Sequence, residues 1–192
     1  MKIEAVEKLT DYKHLNMYAV RYYDRSGRRR TWYVASRNDP PLCAGGCFET
    51  ADAVVMVALH KASSKLVLIK EFRVPLGGYQ YGFPAGLVDD GESVADACAR
   101  ELYEETGLSV VRLIQSSPPV YSSSGMTDES VVIAYLECEG EASNNANSDS
   151  EDIHPFLVSA EEALSLCRQP EAMVDVKTWL VLQGFAKTGR VF

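Results

Sequence analysis

GLVDDGESVADACARELYEETGL, residues 86–108, is the stretch on which the reading of this chain turns. Within it, Arg100-Glu101-Leu102-Tyr103-Glu104-Glu105 concentrates carboxylates that folding does not require. Residues three and four apart on a helix are surface neighbours, so Glu101, Glu104 and Glu105 share a patch and repel one another by about 0.2–0.5 kcal/mol per pair. Such a set suits a hard cation such as Mg²⁺, which binds through one or two carboxylates together with substrate phosphates. The competing reading is a solvated helix face on which Arg100 makes surface pairs of little energetic weight. Ser93, with Asp96 in the first turn, predicts a helix starting at Ser93 or Val94. Val94, Ala97, Cys98 and Leu102 recur at helical spacing and predict its buried stripe, leaving the acids on the exposed side. Gly107 predicts its stop. Gly82, Pro84, Gly86 and Gly91 predict a loop that brings backbone carbonyls close to a bound ion.

The rest of the composition narrows the class. At 192 residues one domain is the default, with room for a small appendage. The formal charge of -8 argues against a nucleic-acid backbone as partner, because such proteins carry a basic footprint. Around the box, Asp89, Asp90, Glu92, Asp96, Glu101, Glu104 and Glu105 face only Arg100. A site so acidic would repel a diphosphate unless divalent cations and a few arginines intervene. The five cysteines, Cys43, Cys47, Cys98, Cys138 and Cys167, form no disulfide framework. Cys43 and Cys47 lack a second ligand pair for zinc and read as free thiols. His14, His60 and His154 are isolated and read as surface or core residues. The start, MKIEAVEKLTDYKHL, has no apolar signal core, and no run is long enough to span a bilayer. A reducing cytoplasmic setting is the simplest expectation.

Periodicity predicts strands at Leu15 to Tyr23 and Arg30 to Ser36, flanking a turn at Asp24-Arg25-Ser26-Gly27. Asn38 through Gly46 reads as a linker. Ala53 to Leu59, Lys65 to Phe72, Val110 to Gln115, Val131 to Glu137 and Phe156 to Val158 are further strands, with a polar acidic loop from Glu139 to Asp152. Ala160 to Cys167 and Ala172 to Phe185 carry helical spacing. The expected class is α+β, a mixed sheet flanked by helices and preceded by a small antiparallel β unit. The expected division is residues 1–45 for that unit and 46–192 for a catalytic domain.

Gly86, Glu92, Arg100-Glu101-Leu102, Glu104-Glu105, Gly107 and Leu108 resemble an unbroken Nudix box, with every specified position filled. The resemblance implies a Nudix hydrolase of α/β/α sandwich type, which uses water to cleave a nucleoside diphosphate linked to another moiety. It implies Glu101 and Glu105 as principal metal ligands, Glu104 as a third, and the Ala85 carbonyl completing the set. Arg100 would orient the acids, Glu92 would support the loop–helix junction, and Mg²⁺ would be the ion, with Mn²⁺ as the alternative.

Outside the box the chain is most similar to ADP-ribose (ADP-sugar) pyrophosphatases, most strongly at Phe83-Pro84-Ala85-Gly86-Leu87-Val88-Asp89-Asp90-Gly91-Glu92. Glu71-Phe72-Arg73-Val74-Pro75 resembles the segment whose arginine contacts the diphosphate, a task suited to a planar guanidinium. Arg30-Thr31-Trp32 resembles a strand whose aromatic residue stacks on adenine, and Arg37 a phosphate-contacting arginine. Alternation points Trp32 and Arg37 in opposite directions, which calls for a bulge or for two arms of a dimer. The resemblance implies a homodimer, domain-swapped through the N-terminal unit, and Tyr18, Val20 and Tyr22 share a face that could serve it. Pro118-Pro119 sits where such proteins carry a proline. Ser124-Gly125-Met126-Thr127-Asp128-Glu129 resembles their substrate loop, with Ser124 in place of the usual proline. Met126 would line the pocket and Glu129 would approach the terminal ribose. For the general base, the loop end Asp149-Ser150-Glu151-Asp152-Ile153 offers Glu151 first and Asp149 next.

The expected reaction is metal-dependent hydrolysis of ADP-ribose to AMP and ribose 5-phosphate, with no nucleic-acid or membrane partner. Two readings compete with it. One is a hydrolase of another nucleotide sugar, such as GDP-mannose, because Trp32 would stack on any purine. The other is a module that binds ADP-ribose without cleaving it. RNA decapping lacks the basic track it would need.

Overall fold

A computed structural model describes residues 1–45 and 50–191. Cys47 and the expected domain junction at residue 46 lie outside the described residues. The chain forms two compact units, the first made of Met1–Asp52 and Pro119–Val131, the second of Ala53–Pro118 and Val132–Phe192.

The first unit is built on a three-stranded antiparallel sheet of β1 (Lys2–Lys8), β2 (Asn16–Tyr23) and β3 (Arg29–Ser36), in that order. The β2–β3 hairpin closes where expected. Asp24 Oδ1 accepts from the amides of Ser26 and Arg28, and Gly27 takes φ +77°. The β1 strand was not anticipated, because its apolar residues are few and interleaved with charge. Its pairing supplies what its composition lacks: Glu4 takes the guanidinium of Arg29 and Glu7 that of Arg21 across the sheet. The β2–β3 register runs without a bulge from Asn16↔Ser36 to Tyr23↔Arg29. Arg37 lies one residue past the strand end, so the alternation that seemed to oppose it to Trp32 does not extend to it. Tyr18 and Val20 are buried within this unit and Tyr22 is half-buried beside them.

The second unit carries a mixed sheet. Its strands are β4 (Ala53–His60), β5 (Lys65–Arg73), β6 (Gly78–Gly82), β7 (Ala85–Leu87), β8 (Ser109–Ser116), β10 (Ser130–Glu139) and β11 (Ile153–Val158); the first two residues of β10 belong to the first unit, where they pair with the short β9 (Val120–Tyr121). The order is β11-β5-β4-β10-β8, with β6 on β5 and β7 on β4. Asp52 N donates to Ser130 O at 3.0 Å and Lys61 N to Cys138 O at 2.9 Å, so β4 and β10 advance together, while β11–β5 and β8–β10 are antiparallel. Val54 to Ala58 is a continuous buried run, the pattern of a strand covered on both faces. The segment from Gly82 to Gly91, expected as a loop, contains β7, and β6, for which no strand was expected, ends at its first residue. Their glycines do not prevent strand pairing to β5 and β4.

Three helices complete the unit. Helix α1 (Val94–Thr106) packs on β4, β7, β8 and β11; α2 (Ala160–Cys167) and α3 (Val176–Thr188) pack on each other and on β11 and β6 respectively. Ser93 caps α1 by accepting from Asp96 N, and Gly107 at φ +70° ends it. Of the expected stripe, Ala97, Cys98 and Leu102 are buried while Val94 is half-buried. Helix α3 begins four residues later than its periodicity suggested. Residues 173–175 are tied to β6 by Tyr81 N to Met173 O (2.8 Å) and Asp175 N to Tyr81 O (2.9 Å), leaving Asp175 to cap the helix.

Leu102 is fully buried on the face that holds α1 to the sheet. Leu102→Ala should cost about 2–5 kcal/mol of unfolding free energy in urea titrations. A loss under about 1 kcal/mol would contradict its place as the anchor of α1.

Candidate active site

Two of the three glutamates of α1, Glu101 and Glu105, do not lie on a solvated face. Glu105 is buried at 6% exposure and Glu101 keeps only 14% of its side-chain surface, while Glu104 is exposed. Two backbone features make this possible. Ala85 N donates to Glu105 Oε2 at 2.9 Å, tying the helix acid to β7. Gly86 lies directly against the Glu101 carboxylate, and a Cβ there would collide with it. Glycine is therefore required for the close approach rather than for a turn.

Arg100 organises the rest. Its Nε and Nη2 grip Glu92 at 2.9 and 2.8 Å, Nη2 also donates to Leu87 O at 3.0 Å, and Nη1 reaches Glu101 at 2.7 Å and Glu104 at 3.4 Å. One planar guanidinium thus pins the loop at residues 87–92 to the helix and turns Glu101. The Arg100 hydrogen bonds hold the Glu92 carboxyl down at about 2, and Glu92 in turn raises the Arg100 guanidinium.

Glu101 and Glu105 are pushed the other way. Burial raises both, above the opposing pull of Arg100 on Glu101 and of the Ala85 amide on Glu105, and Glu105 reaches about 9. Neighbouring carboxylates add to this. Glu71, Glu101 and Glu151 all raise Glu105, Glu104 and Glu151 raise Glu101, and Glu151 raises Glu71. Four acids, Glu71, Glu101, Glu105 and Glu151, therefore feel one another, and a multivalent cation is the counter-charge their chemistry calls for. Among the described residues no three His, Cys, Asp or Glu side chains close a metal shell unaided. Arg100 draws Glu101 and Glu104 toward itself. The oxygen-only donor set and the Gly86 cradle nonetheless fit a hard divalent ion.

Glu71 was missed by sequence reasoning. Its signal was parity: two residues before Arg73 on β5, it shares that arginine's side of the strand and binds it, Arg73 Nη1 to Glu71 Oε1 at 2.8 Å. Glu151, at the end of the acidic loop, accepts from Ser148 N at 3.1 Å and Ser148 Oγ at 2.9 Å. Asp149, the second candidate for base, does not figure among the acids that perturb the cluster.

The remaining expected residues belong to the first unit. Trp32 is 51% exposed, donates its indole N–H to Gly125 O at 3.2 Å, and lines a cavity of about 620 Å³ with Val20, Tyr22, Val34 and Leu42. Arg37 Nε reaches Glu129 Oε1 at 3.5 Å, while Glu129 Oε2 accepts from Ser122 Oγ at 2.9 Å. Met126 is 72% exposed and does not line that cavity; its carbonyl accepts from Ala35 N at 2.9 Å. The loop from Ser124 to Glu129 is the turn leading into β10, held by Ser123 O, which accepts from the amides of Met126 and Thr127.

A NUDIX domain model matches residues 49–180. A Saccharomyces cerevisiae protein named ADP-ribose pyrophosphatase is 29% identical over 191 residues, covering 97% of this chain and 77% of its own. A Mus musculus ADP-sugar pyrophosphatase is 28% identical over 146 residues, covering 74% of this chain and 64% of its own. A Caenorhabditis elegans sequence named as a nudix hydrolase is 32% identical over 146 residues, covering 72% of this chain and 63% of its own. The match thus spans less than two thirds of the nematode and mouse relatives. Among solved structures, an ADP compounds hydrolase superposes with a TM-score of 0.71 at 22% identity, covering 100% of this chain and 96% of that one, and so shares its fold.

A carboxyl raised by folding stabilises the protein below its unfolded value and loses that contribution as pH rises through its folded value. In EDTA-treated protein Glu105 should therefore lower the melting temperature progressively between about pH 4.5 and 9. Glu105→Gln should flatten that slope. Identical slopes in the two proteins would show that Glu105 is not a buried, cation-free acid.

Proposed function

This chain belongs to the Nudix family, and from that membership we propose that it hydrolyses the diphosphate of ADP-ribose or a related ADP-sugar, giving AMP and a sugar phosphate. The observation that carries the reading is the burial of Glu105 against the Ala85 amide, beside Glu101 on Gly86 and with Glu71 and Glu151 in electrostatic reach. A packed fold has no use for four such acids, and a pure binding module has little. The names of the yeast and mouse relatives support the substrate class.

Glu101, Glu104, Glu105 and the Ala85 carbonyl would hold Mg²⁺, with Mn²⁺ as the alternative. Cations bound there polarise phosphoryl oxygens and acidify bound water. Arg100 keeps Glu101 oriented. Arg73 binds the diphosphate, which then competes with Glu71 for the guanidinium. Water attacks one phosphorus, the bond from that phosphorus to the bridging oxygen breaks, the bridging oxygen departs with the other phosphate, and Glu151 accepts the proton of the attacking water. Trp32 offers a flat apolar surface to the purine, Arg37 contacts phosphate, Glu129 approaches the terminal ribose, and Met126 lines the substrate pocket.

Residues 1–45 serve as a base-binding and dimerisation unit and residues 46–192 as the catalytic domain. Exposed Ile3, Tyr23, Trp32 and Tyr33 on the N-terminal sheet support a homodimer formed through it. No helix among the described residues is long and apolar enough to cross a membrane, and Cys43, Cys98, Cys138 and Cys167 are free thiols, which suits a reducing cytoplasm.

A panel of nucleotide sugars, assayed for released monophosphate with Mg²⁺ or EDTA, tests the proposal. ADP-ribose should turn over best, EDTA should stop it, and Glu105→Gln should lower kcat by at least about a hundredfold with the fold intact. Turnover of GDP-mannose but not ADP-ribose would reassign the substrate. Tight ADP-ribose binding without turnover would make the chain a binding module.

A further inference from the structure

The end of the acidic loop is tied down by a set of side chains that no role above uses. Strand β5 pairs with β11 on one side and β6 on the other, with Ile153↔Glu71, His154↔Lys70, Glu71↔Gln80 and Phe72↔Tyr79 in register. Phe72 N donates to Asp152 O at 3.0 Å, extending the β11 ladder by one residue. Asp152, Phe72 and Tyr79 therefore lie in one row across three chains. Paired residues share a face of a sheet and successive ones oppose it, so Asp152 lies on the face of Phe72 and Tyr79. Glu151, one residue earlier, lies outside the ladder, and its charge acts on Glu71, Glu101 and Glu105.

On the first face the Asp152 carboxylate is held at both oxygens. The Tyr79 hydroxyl donates to Oδ2, and the His154 imidazole Nε2 lies 2.9 Å from Oδ1. Tyr79 is itself fixed. Its ring meets Phe72 edge-on at 5.5 Å between centroids, lies 6.0 Å from the His154 ring, and sits under the Lys70 ammonium at 5.0 Å. Carboxylate, phenol, imidazole and ammonium form one connected group.

We propose that Tyr79 and His154 are positioning residues that clamp Asp152 and thereby set the direction and reach of Glu151 toward the acid cluster. This rests on the assignment of Glu151 as proton acceptor. Residues 140–152 contain no helix or strand; Glu151 is held by its own turn with Ser148, by the Asn147 Nδ2 bond to Ile153 O at 3.1 Å and by the Phe72 N bond to Asp152 O, and the clamp adds a side-chain restraint to these. A proton acceptor displaced by about 1 Å loses up to a hundredfold in rate, so the clamp matters to the chemical step and not to substrate binding.

The test is a double-mutant cycle on ADP-ribose hydrolysis with Tyr79→Phe, which removes only the hydroxyl and keeps the ring contacts, and Glu151→Gln. Tyr79→Phe should lower kcat about tenfold or more with KM unchanged, and should have no further effect in the Glu151→Gln background. His154→Ala should act in the same direction and be equally silent in that background. If Glu151→Gln is impaired while Tyr79→Phe matches wild type, the clamp is overturned and the base assignment stands. A loss in Tyr79→Phe that persists undiminished in the Glu151→Gln background also overturns it, since Tyr79 would then act independently of Glu151. If Glu151→Gln keeps normal kcat, the base assignment itself fails and the clamp falls with it.

Discussion

Glu105 accepts from the amide of Ala85 and is otherwise surrounded by protein and by other carboxylates. Burying an ion without a full set of partners is among the costliest events in folding, and a lone acid in that position retains its proton. The helix nevertheless places it there, and the local geometry is arranged around the placement. Strand β7 comes in close enough for Ala85 to donate, Gly86 gives up a side chain so that Glu101 can lie against the backbone, and Arg100 pins the loop that would otherwise separate the two. A carboxylate held ready for a cation, at a cost in the cation's absence, explains all three features together.

The positive charges of the second unit near this cluster are already committed. Arg100 satisfies Glu92 first, and Arg73 is paired with Glu71. Neither neutralises Glu105. A diphosphate arriving without its ions would meet net repulsion, whereas one arriving with divalent cations meets a cradle of oxygen donors and an arginine that can exchange Glu71 for phosphate. Ion and substrate are in this sense mutually required.

Much of this was legible in the sequence, for identifiable reasons. Helix α1 could be bounded to within a residue because Ser93 and Gly107 are strong local signals, and β4 announced itself by an unbroken apolar run. The strand β1 could not, because its apolar residues are few and it becomes a strand through its ladder to β2, which no local pattern shows. Strands β6 and β7 hide behind glycines and a proline that elsewhere mean loop. The start of α3 was misplaced because a tertiary contact, Tyr81 with residues 173–175, overrides helical periodicity. At the site, the acids of residues 101–105 were evident, but their burial was not: helical spacing shows which residues are neighbours and not what covers them. Glu71 escaped notice because it belongs to the cluster only through the register of β5 and β11.

The most direct measurement is Mn²⁺ binding followed by electron paramagnetic resonance of the free ion, in the presence of a non-cleavable ADP-ribose analogue, for wild type and Gly86→Ala. Gly86→Ala leaves every glutamate in the chain and only forces the Glu101 carboxylate off the backbone. The expected result is saturable binding in wild type and its loss, by at least about tenfold in affinity, in the variant. Equal binding by the two proteins would contradict a cation cradle formed by Glu101 and Glu105 against β7.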